Sequence, residues 1–258
     1  MNIPTYRLAL LGAFASFLAL TGCGSKVKNE AAAPLAPPVD PATAASITGR
    51  VTFDGTPPVL HPIDMSANPA CMKANPKPVI PTTVVRGANG GLADVVVYVK
   101  SGLGHYRYVA PQTPVILDQK NCMYEPHVLA LMVNQPFEVT NGDPTIHNVL
   151  VMARNNDRWG SSEPVGSAPI KSTFELPEFA MPILCDIHPW MRAYAFVFDQ
   201  PYFAVTSKDG DFALKNLPPG TYTIEAWHEQ NKTLDQTVTL APKESKSISF
   251  TFRANAQS

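Results

Sequence analysis

Apolar residues recur along most of this chain in short runs of period two, broken by Gly, Pro, Asn and Asp at intervals too short for helices. Ile47, Val51 and Phe53 share one face of a strand that ends at the turn Asp54-Gly55. Val95 to Val99 is continuously apolar, which predicts a strand covered on both faces. Further strands are predicted at Val115 to Leu117, His127 to Met132, Phe137 to Thr140, Asn148 to Val151, Thr173 to Leu176 and Ala193 to Val197. Asp209-Gly210 is the strongest short hairpin signal, and Leu217-Pro-Pro-Gly220 makes another turn. Beyond them Tyr222, Ile224 and Ala226 alternate, as do Val238 with Leu240, and Ile248 with Phe250 and Phe252. Most of the 26 prolines flank β-branched runs, so helix should be scarce and the fold class all-β.

The first residues follow a different pattern. Arg7 precedes the apolar run Leu8 to Leu20, too short for a comfortable transmembrane span, and the run ends at Leu20-Thr21-Gly22-Cys23. This resembles a bacterial lipobox. The resemblance implies a lipoprotein signal peptide over residues 1–22, lipidation of Cys23, and export of a chain tied to a membrane by its lipid alone. Gly24 follows the cysteine where Asp would resemble an inner-membrane retention signal. The expected location is therefore the periplasmic face of an outer membrane, or the outer face of the cell membrane in a host with a single membrane. Residues 23–46 are rich in Ala and Pro without apolar periodicity and read as a tether.

Composition narrows the partners. Charged residues make up 16% and the formal net charge is -1, so no nucleic-acid surface or basic membrane patch is indicated. An apolar content of 45% is that of a folded protein.

The densest chemistry lies in Cys185-Asp-Ile-His-Pro-Trp-Met191, where thiolate, imidazole and thioether fall within seven residues. The best fourth donor is His147, 38 residues upstream, where polar turn residues lead into an apolar strand. Two His, one Cys and a weak axial Met form the ligand set of a blue-copper electron-transfer site, whereas zinc prefers a closed Cys and His set and has little use for a thioether. Pro189 and Trp190 are candidates for an apolar docking rim beside His188, with inward packing of Trp190 as the alternative. His127 is expected to be a strand-edge residue with an ordinary hydrogen bond, and His228 a surface residue.

Two family resemblances organise these pieces. Cys185 to Arg192 resembles the copper loop of the cupredoxin family in the short spacing of its amicyanins, and Asn141 to Val149 resembles the family's upstream histidine segment. The resemblance implies a Greek-key sandwich holding one Cu(I)/Cu(II) ion on His147, Cys185, His188 and Met191, with Asn148 beside the ligands and not itself bonded to the ion. Departures are Met181 to Leu184 before the cysteine, where an aromatic residue is usual, and the stretch Asn155 to Ser167. Ile47 to Val51, Ala93 to Val97, Thr206 to Phe212 and Leu217 to Ile224 resemble the carboxypeptidase regulatory-like module, a transthyretin-like sandwich also grouped with carbohydrate-binding-like folds. About a hundred residues separate its second strand from its third. The expected arrangement is a copper domain over residues 109–199 inserted into a module formed by 47–108 and 200–253, with two tandem domains as the alternative.

With Cys23 lipidated and Cys185 on metal, Cys71 and Cys122 remain, and an oxidising compartment favours a disulfide between them. Two separate buried thiols, or a second metal site with His127, are the alternatives. No second histidine cluster and no Ser-His-Asp motif is evident, so the chain is not expected to be an enzyme. The expected role is single-electron transfer between exported redox proteins. The alternatives are copper storage or delivery, and a glycan- or protein-binding module.

Overall fold

The computed structural model describes residues 33–87 and 89–254. The leader expected over residues 1–22, the lipidation site Cys23 and the tether up to residue 32 lie outside the described residues. Among the described residues, no helix is long and apolar enough to cross a membrane.

The chain runs through β1 (Ala45–Asp54), the short helix α1 (Pro69–Ala74), β2 (Val96–Ser101), β3 (Val115–Lys120), β4 (Met123–Glu125), β5 (Val128–Met132), β6 (Phe137–Asn141) and β7 (His147–Val151). It continues through β8 (Trp159–Glu163), β9 (Ile170–Ser172), β10 (Glu178–Leu184), β11 (Arg192–Phe198), β12 (Phe203–Val205), β13 (Asp211–Leu217), β14 (Gly220–His228), β15 (Lys232–Leu240) and β16 (Ser245–Arg253). The fold is all-β, as its periodicity predicts. Among the described residues four sheets form, ordered β13-β1-β16, β12-β2-β14-β15, β5-β11-β10-β7-β8 and β4-β3-β6-β9.

Three hydrophobic clusters bind these sheets. Between the first two lie Ile47, Val51, Val97, Leu214, Ile224 and Phe250. Between the last two lie Leu117, Phe137, Val149, Met181, Ile183 and Ala195. The continuous apolar run at β2 is explained by the cluster between the two sandwiches. Val95, Val97 and Val99 point into the terminal sandwich, while Val96 and Tyr98 face Phe196, Phe198 and Trp227. The rings of Phe196 and Trp227 lie 4.8 Å apart, edge to face, and such a pair contributes ~0.5–1.5 kcal/mol beyond the area it buries.

The segment between β1 and β2 makes an excursion. Met65 and Cys71 belong to the core of the central sandwich, with Ile63 and Val79 packed against it, before Gly91 returns to bridge Thr52. α1 begins with Pro69 in its first turn and has no side-chain N-cap bond, so tertiary ties hold it. Asn75 Nδ2 donates to the carbonyls of Cys71, 3.0 Å, and Asn121, 2.8 Å, and Cys71 is bonded to Cys122 by a disulfide.

Several local expectations are corrected. Asp209-Gly210 is a turn but not a hairpin, because β12 pairs with β2 while β13 pairs with β1. The turn instead carries the chain from one sheet to the other, wedged so closely that a Cβ on Gly91 would stand 1.9 Å from the Asp209 carbonyl oxygen. Gly210 has φ +84°, which glycine adopts without penalty. The strand expected at Thr173 to Leu176 is displaced to β9, although Phe174 is buried. Three strands, β4, β8 and β10, arise where none was predicted.

Candidate metal centre

The centre is built where the β10–β11 hairpin closes over the start of β7. Leu184 pairs with Arg192, so Cys185 to Met191 is the connecting loop. Alternation along β7 turns His147, Val149 and Val151 inward and leaves Asn148 and Leu150 partly exposed. The donor atoms of His147, Cys185 and His188 lie within 4.8 Å of one another. Nδ1 of His147 is 2.9 Å from Nδ1 of His188, which is 3.8 Å from Sγ of Cys185. All three side chains are buried, and Cys185 is a free thiol.

This spacing accommodates one ion. With metal–nitrogen bonds of ~2.0–2.1 Å and metal–sulfur of ~2.3 Å, the nitrogens subtend about 90° and the nitrogen–sulfur pair about 120°. Met191 is wholly buried in the same core cluster as Cys185, and its N–H donates to the His188 carbonyl, 2.8 Å, folding the loop back on itself. A thiol, two imidazoles and a thioether buried in the same cluster are donors that suit a soft or borderline ion such as copper.

Asp143 was not anticipated and organises the site. Its carboxylate accepts the N–H of Asn121, 2.6 Å, the N–H of Cys122, 2.7 Å, and Nε2–H of His147, 2.9 Å. In the neutral ring the proton is thereby fixed on Nε2, and the lone pair of Nδ1 faces Cys185 and His188. Its position four residues before His147, in a polar turn, was the available signal. Tyr124 was also missed: its hydroxyl lies between the carbonyls of Asn148, 2.7 Å, and Leu184, 2.9 Å, and ties β7 to β10 next to His147 and Cys185.

Electrostatics favours the ligand forms of Cys185 and His188. Burial pushes the Cys185 thiol up, but His147 and the N–H groups of Asn148, His188 and Ile187 outweigh it and bring the thiol below its ordinary range. Burial and the neighbouring His147 hold His188 down at about 4, so this ring is neutral near pH 7. Burial also acts downward on His147, but Asp143 and Cys185 raise it to about 9. An ion bound at Nδ1 of His147 would therefore displace a proton from the ring.

The other expected residues fall as follows. Asn148 Oδ1 accepts the Asp186 N–H, 2.8 Å, and steadies the loop. Pro189 is exposed, whereas Trp190 is half-buried, its ring 5.2 Å from His188 and its indole N–H donating to the Cys122 carbonyl, 2.9 Å. Cys71 and Cys122 are joined, with Cα atoms 5.6 Å apart, and their sulfurs lie within 4.8 Å of a His188 ring nitrogen. His127 stays outside this group: Nδ1 meets the Arg192 carbonyl and Nε2 meets Glu229, both at 3.0 Å. His228 is buried and not a surface residue, because Phe252 packs against its ring and Asn231 donates to its Nδ1.

No protein-family model and no curated protein matches this chain. Among solved structures it is similar to a copper-containing nitrite reductase from Thermus scotoductus, with 21% identity over 34% of this chain and 23% of that one, TM-score 0.31. The chain thus spans about a quarter of that protein's length. It is also similar to amicyanin from Paracoccus versutus, with 20% identity over 39% of this chain and 96% of that one, TM-score 0.29. An amicyanin variant in its Cu(I) form gives 22% identity over 34% and 85%, TM-score 0.29. At these identities and TM-scores the likeness carries no functional inference.

Proposed function

We propose that this chain is an exported, lipid-anchored blue-copper protein that carries single electrons between redox partners. The observation that carries the reading is the buried convergence of His147, Cys185 and His188 at one-ion spacing. Copper would supply the one-electron couple. The chain's own residues supply the rest: Asp143 holds the proton of the neutral His147 ring on Nε2, Met191 brings a thioether buried in the same cluster as Cys185, and burial excludes water. A scaffold fixed by so many bonds keeps one compromise geometry for both oxidation states, which lowers the reorganisation that accompanies electron transfer.

Ile146 and Ile187, each next to a ligand histidine in sequence, are 45% and 38% exposed and offer a redox partner an apolar surface beside a buried centre. The same burial favours retention of the ion over the storage or delivery reading. Cys23 supplies the lipid anchor in this reading, and the terminal strands act as a regulatory-like accessory sandwich around the copper unit.

The test is the visible spectrum of the mature protein after copper loading and removal of excess metal. Wild type should hold a single ion with an intense thiolate-to-copper band that bleaches on reduction and returns on oxidation. Cys185→Ser should be colourless. A colourless wild type, or a coloured Cys185→Ser, would refute the assignment.

A further inference from the structure

His188 faces two sets of donors. Its Nδ1 is turned to His147 and Cys185, while its Nε2 is buried with no hydrogen-bond partner. A buried polar nitrogen without a partner is unfavourable and calls for an explanation. The sulfurs of Cys71 and Cys122 also lie with a His188 ring nitrogen inside a common 4.8 Å limit, and all three residues are fully buried. We infer that Cys71, Cys122 and His188 form a second, redox-gated site for a soft cation, closed while the disulfide stands and opened by its reduction. The inference rests on the proposed metal centre, because His188 is the residue that both sets share.

The scaffold holds both cysteines in place without the sulfur–sulfur bond. Cys122 has its N–H on Asp143 and its carbonyl on the Trp190 indole. Cys71 sits in α1, whose end is tied by Asn75 Nδ2 to the Asn121 carbonyl, 2.8 Å, next to Cys122. To bind an ion at ~2.3 Å each, the sulfurs must part to about 3.8 Å, a distance that side-chain rotation provides. Two thiolates and an imidazole suit Cu(I).

The chemistry balances in two steps. A dithiol reductant exchanges with the Cys71–Cys122 bond: its two thiols are oxidised to a disulfide, and each protein sulfur gains one of the two electrons and a proton. Cu(I) then displaces both protons to solvent, and no electron moves in that step. A redox-active dithiol protein of the exported compartment is the reductant class that fits.

The test uses the full mature chain carrying Cys185→Ser, which removes the thiolate of the first set. One half is left oxidised. The other is reduced with a water-soluble phosphine, which takes up an oxygen from water as it cleaves the disulfide, and is then desalted under argon. Both are titrated with Cu(I) against bicinchoninate, following stoichiometry and the ultraviolet thiolate-to-Cu(I) band. The reduced protein should take up a single equivalent more than the oxidised protein, with the band. Adding Cys71→Ser and Cys122→Ser to the same background should abolish that uptake. Equal uptake by the two forms, or uptake that survives loss of both cysteines, would overturn the inference, as would loss of the near-ultraviolet dichroism of the reduced protein. Failure of the proposed function is read separately, from wild type with its disulfide intact, which would then take up no coloured copper.

Discussion

Replacing Asp143 by Asn removes one charge and changes little volume, yet the geometry predicts large effects on both stability and metal binding. The carboxylate accepts three N–H donors at 2.6, 2.7 and 2.9 Å and is nearly buried. An amide offers one acceptor oxygen, and its NH2 only donates. Two arrangements are open to it. If the oxygen takes the place of Oδ1 it accepts only from Asn121, and the NH2 then meets the Cys122 N–H, donor against donor, and points at Nε2 of His147, which drives that ring's proton to Nδ1. If the amide flips, the oxygen keeps Cys122 and His147 and donor meets donor at Asn121. Hydrogen bonds to a buried charged group contribute ~1.5–3 kcal/mol each, so the loss should be about 2–4 kcal/mol. For a protein of this size that lowers the Tm of the metal-free form by roughly 4–16 °C. Loss of a carboxylate behind a histidine ligand costs about 10–100-fold in metal affinity. Calorimetry of the metal-free protein and copper competition against a chelator measure the two effects independently. A variant within a degree of wild type and with unchanged affinity would refute the role of Asp143.

Three further outcomes are expected. Met191→Gln should keep copper and lower its reduction potential, and Met191→Leu should raise it, while His147→Ala should lose tight binding; voltammetry that finds no shift in either Met191 variant removes Met191 from the axial position. The buried His228 is held down at about 4, first by burial and then by the charge of His127, against an unfolded value near 6.5. The unfolded chain therefore takes up the proton first, and stability present above pH 6.5 is lost as pH falls toward 4, by roughly 3 kcal/mol. His228→Gln should flatten that limb of the denaturation-against-pH curve, and an unchanged limb would contradict the assignment. Glu178 accepts N–H groups of Arg154, Asn155 and Asn156, at 2.7–3.1 Å. Glu178→Ala should free the 154–156 segment, read as faster amide exchange there, and unchanged protection would show that the carboxylate does not hold it.

What was legible depended on how local the cause was. The convergence of Cys185 and His188 could be read because side-chain identity and short spacing alone define that cluster, and the hairpin β10–β11 then only has to close. β2 announced its double burial because every residue from Val95 to Val99 is apolar, although its partners Phe196 and Trp227 are about a hundred or more positions away. The hairpin at Asp209-Gly210 misled because turn chemistry is local while strand pairing is not: β1 and β2 claim the two flanking strands. β10 escaped notice because Ala180, at φ +48°, and Pro182 interrupt its alternation at a bulge. β8, with Trp159 as its one large apolar residue, lies at a sheet edge where no apolar pattern is required. Asp143 read as a turn former, and only the fold reveals that Asn121, Cys122 and His147 meet on its carboxylate.

The central claim is the placement of one copper ion among His147, Cys185, His188 and Met191. Anomalous diffraction from crystals of the copper-loaded protein, recorded above and below the copper edge, locates the ion without reference to colour or activity. A single peak bonded to Nδ1 of His147, Nδ1 of His188 and Sγ of Cys185, with the Met191 thioether on its axial side, is the predicted result. A peak elsewhere, or none at these atoms in a crystal shown to contain copper, would contradict it.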